Sequence, residues 1–416
     1  MSTESAGGTR SRGTSDSDAT NDTATPLSFP VGFLWGTATA AHQIEGGNVN
    51  NDWWDWEHAP GTTCAESSGD ACDSWHRGDE DVALVAGLGL GAYRFSLEWS
   101  RIEPAEGEFS MAALDHYRRL AVACRERGVV PVVTFHHYTV PRWFAAMGGF
   151  EADRASALFA RFVERATAHI GDVIGMACTL NEPNVLALMG YLLGKFPPGV
   201  EDFERHHRAV ESVIACHHAA VDALRAGPGD FPVGLTLSMA ELEAADGGEE
   251  VRAAAQEILE DTFLREVGAD DFVGVQGYTR IRFGPEGPIE ETDSMRTTQM
   301  GYEFWPGVVE HTVRRTAAMT GLPVYVTESG IGTGDDTERV AYMDEALRGL
   351  HRCIADGVDL RGYFAWSLLD NFEWNDGFRP TFGLHSVDRT TFERRAKPSA
   401  AWLGQVASTN SLSRLG

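Results

Sequence analysis

Eight apolar runs, separated by segments with a helical pattern, constrain the fold of this chain more than any other feature. The runs are nearly continuous in apolar residues, which is typical of strands that are covered on both faces. They occupy residues 33–39, 92–99, 129–137, 175–182, 232–239, 271–278, 323–330 and 361–369. Strands that alternate with helices predict a parallel sheet with right-handed crossovers.

The segments between the runs have the spacing of amphipathic helices. Residues 110–127 place six residues on one stripe at intervals of three and four: Ala113, Leu114, Tyr117, Leu120, Ala121 and Cys124. Ser110 can cap this helix and Gly128 can end it in a left-handed turn, and residues 203–226 repeat the pattern. Eight strand–helix units favour an α/β fold with a single closed (β/α)8 TIM barrel. An open doubly wound sheet is the alternative, but the first run is not followed by a glycine-rich phosphate turn.

The barrel is predicted to span residues 27–405. Residues 1–26 are rich in Ser, Thr, Gly and Asp, which predicts a disordered N-terminal tail, and residues 406–416 are left as a short C-terminal tail. The tail has no apolar core of a secretory signal, and no run reaches the length that spans a bilayer. We therefore expect a cytoplasmic protein whose six cysteines are free thiols, although Cys64 and Cys72 are close enough in sequence to pair.

The charge of the chain limits its partners. The 34 basic and 61 acidic residues give a formal net charge of −27, so neither a nucleic acid nor an anionic membrane is an expected partner. A small neutral molecule remains compatible with this charge, and the oligomeric state is not determined by the sequence.

Polar and aromatic residues are concentrated where the predicted strands end, which is the face that carries the active site of a TIM barrel. Glu182 and Glu328 end the fourth and seventh runs, on opposite sides of the barrel. Two facing carboxylates can hydrolyse a glycosidic bond if one is protonated and the other is ionised. The alternative is that each glutamate pairs with an arginine in a buried structural network.

Five segments resemble glycoside hydrolase family 1, the β-glucosidase type, over residues 28–403. They are "FPVGFLWGTATAAHQIEGG", "YRFSLEWSRI", "TLNEP", "YVTESG" and "GYFAWSLLDNFEW". "TLNEP" alone is less specific, because related barrel glycosidases share Asn-Glu-Pro, but the five together in this order are typical of the family.

The resemblance implies a retaining β-glycosidase without a cofactor or metal. It assigns Glu182 as the acid/base and Glu328 as the nucleophile, with Arg94 and Tyr278 donating to Glu328 and Asn181 binding the sugar 2-hydroxyl. The remaining implied sugar contacts are hydroxyl binding by Gln43, His137, Glu373 and Trp374, and stacking by Trp366.

Three positions depart from the family pattern. Ser329 replaces the usual Asn after the nucleophile, Tyr138 stands where a Trp or Phe often follows the binding histidine, and Gln276 stands where Asn is usual. The expected substrate is a small β-glycoside or a short oligosaccharide. Its non-reducing terminal sugar is expected to be an unphosphorylated glucosyl residue, and also a galactosyl or fucosyl residue. Glu373 argues against a 6-phosphorylated sugar, because a phosphate needs nearby cations.

Two other functions use the same barrel. A transglycosylase would use the same residues, and a non-catalytic sugar-binding barrel would lack one of the two carboxylates, both of which are present here. The tryptophan-rich segment "NNDWWDWEH" is predicted to pack on the barrel rather than to form a sugar platform, with Trp56 as its most buried member.

Overall fold

A computed structural model describes residues 26–289 and 295–413, and eight parallel strands form its centre. The strands are β1 (Leu34–Ala38), β2 (Ala92–Ser96), β3 (Val130–His136), β4 (Met176–Asn181), β5 (Val233–Ala244), β6 (Phe272–Gly284), β7 (Val324–Ser329) and β8 (Leu360–Trp366). Each strand pairs with its neighbours in chain order, and β8 pairs with β1 to close the ring. The predicted TIM barrel is therefore confirmed, and the open sheet is excluded.

One long helical segment follows each strand and packs on the outside of the barrel. The helices are α1 (Ser74–Gly87), α2 (Met111–Glu126), α3 (Ala155–Ile170), α4 (Phe203–Ala226), α5 (Glu249–Gln256), α6 (Val308–Thr320), α7 (Asp336–Ala355) and α8 (Pro398–Thr409). The predicted cap of α2 is present, since Ser110 Oγ accepts from the Ala113 amide at 3.2 Å. Gly128 follows α2 with a φ of 72°, as predicted for its end.

Short helices lie in the loops that leave the C-terminal ends of the strands. They are Ala41–Ile44 and Asp52–His58 after β1, Trp99–Ile102 after β2, Arg142–Ala146 after β3, and Pro183–Ala187 after β4. Helical turns also continue the last of these through Leu192 and continue α5 through Leu264. These loop helices carry several of the residues that face the barrel mouth.

Apolar side chains fill the lower part of the barrel interior. They form a buried cluster of Ala92, Val132, Met176, Cys178, Phe272 and Phe364, contributed by β2, β3, β4, β6 and β8. Gly36 makes room for this layer, since a Cβ at that position would lie 2.5 Å from the Phe364 ring. Alternate residues of a strand face the same side, so Arg94 lies one step above Ala92 and directly over the apolar layer.

β5 and β6 are longer than the predicted runs, which stop at residues 239 and 278. They stay paired beyond the barrel, with Glu241 opposite Arg280 and Glu243 opposite Arg282. The Arg280 guanidinium lies 3.5 Å from the centre of the Trp305 ring and bonds Glu303 at 2.6 Å. Charged residues alternate with apolar ones in this outer part, so its hydrophobic pattern differs from that of a strand buried on both faces.

The two ends of the described chain are joined by a short antiparallel pair. Leu27 lies opposite Leu412 and Ser28 opposite Ser411. The predicted domain boundary at residue 405 falls within α8, which continues to Thr409. Residues 1–25 of the predicted disordered tail lie outside the described residues.

A buried ion pair fixes the segment after β8 to α1. Arg394 Nε lies 2.8 Å from Asp81 Oδ1, and both side chains are about 1% exposed. Ser74 Oγ donates to the other Asp81 oxygen at 2.6 Å. This network joins the last strand–helix unit of the barrel to the first.

All six cysteines lie within the described residues, and all are free thiols. Cys64 and Cys72 do not pair, since their sulfurs lie 3.2 Å from Asn375 Oδ1 and 3.4 Å from the Asp370 carbonyl oxygen respectively. Across residues 26–289 and 295–413, none of the helices combines the length and the apolarity that a bilayer crossing requires.

Candidate active site

The C-terminal ends of the strands surround a cavity of about 550 Å³. Eight of the ten predicted site residues line it: Gln43, His137, Glu182, Tyr278, Glu328, Trp366, Glu373 and Trp374. The other two, Arg94 and Asn181, lie beneath it and hydrogen-bond each other at 2.6 Å. The structure therefore brings all ten into one site.

Glu328 is held by three donors at the end of β7. Arg94 Nη1 and Gln276 Nε2 donate to its Oε1, the latter at 2.9 Å, and the Tyr278 hydroxyl donates to its Oε2 at 2.6 Å. Burial raises the pKa of Glu328, and the Arg94 charge and the Tyr278 hydrogen bond oppose that rise. The three donors favour the carboxylate and fix its orientation.

Glu182 has different surroundings at the end of β4. Burial, and then the negative charge of Glu328, raise its pKa to about 8. Its described hydrogen-bond donor is the Tyr138 hydroxyl, which contacts Oε2. The alternative of two arginine-paired glutamates therefore holds for Glu328 but not for Glu182, because no arginine hydrogen-bonds Glu182 in the described part of the chain.

The proline after Glu182 helps to explain its placement. Glu182 adopts a left-handed backbone with a φ of 44°, and Pro183 begins the following short helix. A proline disfavours the right-handed helical conformation in the residue before it, so β4 ends at a sharp turn. This turn keeps the Glu182 side chain at the cavity and directs the chain away from it.

Two side-chain amides beside the carboxylates are oriented by hydrogen bonds within the protein, and each keeps one polar atom unpaired. Asn181 Oδ1 accepts from Arg94 and, at 2.8 Å, from Gln276, so its buried Nδ2 has no partner among the described residues. Gln43 Nε2 donates to the Phe372 carbonyl oxygen at 2.7 Å, and its buried Oε1 is likewise unpaired. Since buried polar atoms are normally hydrogen-bonded, these atoms suit a ligand rich in hydroxyl groups.

Aromatic rings form one side of the cavity. The His137 ring lies nearly parallel to Trp366 and Trp374, with centroid separations of 6.0 and 6.2 Å. Trp366 Nε1 donates to Glu373 Oε1 at 3.3 Å. Burial lowers the pKa of His137 and raises that of Glu373, so His137 is neutral and can donate or accept a hydrogen bond.

The tryptophan-rich segment supports this aromatic side from behind. Trp53 is 1% exposed and its ring centroid lies 4.5 Å from that of Trp374. Trp56 is only half-buried, with Nε1 3.3 Å from Asn375 Oδ1. The packing interpretation is therefore confirmed for Trp53, whereas the expectation that Trp56 is the most buried member was wrong.

Three of the residues around the cavity have a strained backbone. Tyr138, Glu182 and Trp374 have φ values of 70°, 44° and 53°, in the left-handed region that non-glycine residues rarely adopt. Such conformations concentrate at functional sites, where the surrounding structure compensates their cost. In the described residues, no group of three or more His, Cys, Asp or Glu could hold a metal ion.

A sequence model described as "Glycosyl hydrolase family 1" matches residues 25–274 and 284–412. The chain belongs to glycosyl hydrolase family 1. It is therefore a retaining glycoside hydrolase of the β-glucosidase type, as the sequence motifs predicted.

Proteins of family 1 resemble this chain over most of its length. The thermostable β-glucosidase B of Thermobispora bispora is 35% identical, covering 95% of this chain and 93% of its own. Among solved structures, the β-glycosidase BGL167 is 46% identical, with a TM-score of 0.87 over 93% of this chain and 99% of its own. The β-glucosidase of Thermotoga maritima in complex with galacto-hydroximolactam is 31% identical, with a TM-score of 0.86 over 93% and 100%.

Two of the three departures from the family 1 pattern contact the carboxylates. Gln276 bonds both Asn181 and Glu328, and Tyr138 bonds Glu182. Neither residue was predicted to have a role. Their positions held a signal, because Gln276 precedes Tyr278 by two residues and so faces the same side of β6, and Tyr138 directly follows His137.

Proposed function

We propose that this enzyme releases non-reducing terminal β-D-glucosyl residues by double displacement, with Glu328 as the nucleophile and Glu182 as the acid/base. The observation that carries the proposal is the contrast between two buried carboxyl groups in one cavity. Glu328 accepts three hydrogen bonds, one from a guanidinium, whereas Glu182 has a pKa raised to about 8 by burial and by the charge of Glu328. One is suited to remain ionised and the other to carry a proton.

In the first step Glu328 attacks the anomeric carbon and forms a glycosyl ester, while Glu182 gives its proton to the departing oxygen. Arg94 and Tyr278 hold the Glu328 carboxylate in place before the attack. Asn181 Nδ2 is free to donate to the sugar 2-hydroxyl, a contact that strengthens in the transition state.

In the second step Glu182 acts as a base. Esterification removes the negative charge of Glu328, which is one of the causes that raise the pKa of Glu182. The pKa of Glu182 therefore falls, and its carboxylate can accept a proton from the water that attacks the ester. The sugar leaves with its original β configuration.

Gln43, His137, Glu373 and Trp374 are proposed to bind the sugar hydroxyls, and Trp366 to stack on its C–H face. Glu373 and Gln43 can each bond neighbouring hydroxyls, which is compatible with glucosides, galactosides and fucosides. The solved complex of the Thermotoga maritima β-glucosidase with galacto-hydroximolactam supports this proposal, because that enzyme binds a galacto-configured ligand.

The sugar is proposed to be unphosphorylated. Lys195, which is exposed, is the only lysine or arginine among the described residues that line the cavity, whereas a 6-phosphate needs close cations. Rates on a 4-nitrophenyl glucoside and on its 6-phosphate test this proposal. The free glucoside should be hydrolysed faster. Faster hydrolysis of the 6-phosphate would contradict the proposal that the cavity binds an unphosphorylated sugar.

The outer part of the cavity is proposed to bind an apolar aglycone. Apolar side chains line it from the segment after Glu182 and from the upper part of β5 and β6: Val185, Leu188, Met189, Met239 and Ile281. A second sugar against these side chains would leave hydroxyl groups without partners, which costs free energy. An aryl or alkyl group would not carry this cost.

We also infer a cytoplasmic location, which the six free cysteines support. Fractionation of cells that express the full chain tests it, and recovery of the protein outside the cytoplasm would contradict it.

The mechanism is tested by stereochemistry and by rescue with azide. Proton NMR of the hydrolysis of an aryl β-glucoside should show β-glucose as the first product. Glu328→Ala should lose hydrolysis and, with azide, convert a glycosyl substrate into the α-glycosyl azide, whereas Glu182→Ala should give the β-azide from 2,4-dinitrophenyl glucoside. First-formed α-glucose, or full activity in Glu328→Ala, would exclude the proposal.

A further inference from the structure

We propose that Tyr138 is a positioning residue whose hydroxyl group stabilises Glu182 in the carboxylate form that the second step requires. The proposal rests on the proposed role of Glu182 as the acid/base. It concerns a residue that stands where Trp or Phe is common in family 1, neither of which offers a hydroxyl group.

The ring of Tyr138 is held rigidly beside Glu182. Tyr138 follows β3 in a left-handed backbone with a φ of 70° and is 4% exposed. Its ring centroid lies 5.0 Å from that of Trp374 and 5.6 Å from that of Phe196, both in edge-to-face contact. The hydroxyl donates to Glu182 Oε2. With the ring fixed on these sides, the hydroxyl remains directed at the carboxyl group.

The charged and titratable groups that face Glu182 come from several elements: Glu328 of β7, Arg94 of β2, Tyr278 of β6, Tyr302 of the loop before α6, and Tyr138 itself. Glu328 raises the pKa of Glu182, while Tyr138, the Ser238 hydroxyl and Arg94 lower it. Arg94 already donates to Glu328, so the direct stabilisation of the Glu182 anion comes from hydroxyl groups.

Tyr138 stays a donor throughout the cycle. Burial and the nearby Glu182 charge raise the pKa of its phenol well above the ordinary value, so the phenol is not deprotonated in the working range. When Glu328 is esterified and Glu182 must ionise, the phenol is already in place to bond the anion. A phenylalanine there would leave a buried carboxylate with one donor fewer.

Tyr138→Phe tests the proposal through the pH profile. On an aryl glucoside with a poor leaving group, the alkaline limb of kcat/KM should move up by about one pH unit, because one charge-assisted hydrogen bond corresponds to about that shift. On 2,4-dinitrophenyl glucoside, where the second step limits turnover, kcat near pH 6 should fall by about 10-fold and its acid limb should also move up.

Tyr191→Phe is the matched control. It is the same substitution at a buried tyrosine, which lines a second cavity on the other side of Tyr138 and does not hydrogen-bond Glu182 in the described part of the chain. Its pH limbs should stay at the wild-type values. Tyr138→Met, which fills much of the space of the ring and offers no hydrogen-bond donor, should move the limbs as Tyr138→Phe does and serves if the phenylalanine variant does not fold.

The outcome distinguishes the two proposals. If Tyr138→Phe and Tyr138→Met lower kcat but leave both limbs at the wild-type pH, Tyr138 only packs and the inference is overturned. Glu182→Ala is measured in parallel on leaving groups of different pKa. If its loss of activity does not grow as the leaving group becomes poorer, it is the acid/base role of Glu182 that fails, whatever the tyrosine variants show.

Discussion

The Tyr278 hydroxyl donates to Glu328 Oε2 at 2.6 Å, across the junction of two neighbouring strands. β6 and β7 are parallel here, with Gln276 opposite Glu328. Because residues 276 and 278 face the same side of β6, this one strand supplies two donors to a single carboxylate on the next. The nucleophile proposed above is therefore oriented by strand register.

Tyr278→Phe should lower kcat/KM by about 10- to 100-fold, because it removes a hydrogen bond to a charged group. The fold and the other two donors to Glu328 should be retained. Tyr325→Phe is the control, since Tyr325 is on the same strand as Glu328 but packs against Phe272 instead. Steady-state kinetics at the pH optimum make the comparison. Equal losses of kcat/KM in both variants would contradict the role of Tyr278 in orienting Glu328.

Arg94→Met should move the acid limb of kcat/KM to higher pH. The Arg94 charge opposes the rise in the pKa of Glu328 that burial causes. Without it the pKa of Glu328 rises further, and the nucleophile is protonated over more of the acidic range. Activity should therefore be lost as pH falls, at a pH where the wild type is still active. An acid limb that stays in place in a folded Arg94→Met variant would show that this limb does not report Glu328.

In the wild type, kcat/KM on a substrate with a poor leaving group should decrease as pH rises through a value near 8. Burial and Glu328 raise the pKa of Glu182 to about 8, and the first step needs its protonated form. With 2,4-dinitrophenyl glucoside, whose leaving group needs no proton, the same limb should be much weaker. If both substrates gave identical alkaline limbs, the limb would have to come from another group.

Arg394→Met should destabilise the barrel by about 3 kcal/mol, because it leaves the buried Asp81 carboxylate without its cation. Arg395→Met is a control one residue away, where the ion pair with Glu393 is more than half exposed and contributes little. Urea unfolding followed by tryptophan fluorescence measures both variants. A difference below about 1 kcal/mol between them would show that the buried pair does not stabilise the fold.

An aryl or long-chain alkyl glucoside should have a higher kcat/KM than cellobiose. The apolar residues of the outer cavity can bury such an aglycone, at about 25 cal/mol for each Å² removed from water. Met189→Gln should reduce the difference in kcat/KM between these glucosides and cellobiose, because glutamine adds a hydrogen-bonding partner for a second sugar. Cellobiose hydrolysed faster than octyl or phenyl glucoside would contradict an apolar aglycone site.

Much of the fold could be predicted because the inner strands are buried on both faces and so are apolar throughout. The outer halves of β5 and β6 were missed because their alternating charges, such as Glu243 and Arg280, pair beyond the barrel. The end of α8 was missed for a different reason. Leu412 pairs with Leu27, and a contact between the two ends of a chain leaves no periodic pattern in either segment.

The site residues could be predicted because they sit in motifs at strand ends, where a barrel places its chemistry. The sequence placed Gln276 and Tyr138 near the site, but which carboxylate each of them contacts could not be predicted. Each depends on which residue of a neighbouring strand lies opposite, and register is a property of the paired strands rather than of either sequence. The burial of Trp53 was likewise missed, because it depends on packing against Trp374, which is distant in sequence.

The pairing of Leu27 with Leu412 also means that the two ends of the barrel domain lie side by side. Asn410 strengthens this junction, since its Oδ1 accepts from Trp35 Nε1 at 2.9 Å and its Nδ2 donates to the Phe29 carbonyl oxygen at 2.9 Å. A circular permutant could therefore link residue 413 to residue 26 through a few glycines and open the chain in a surface loop such as the one at Gly357. The order in which the eight strand–helix units are synthesised would change, while all the residues that line the cavity would be retained.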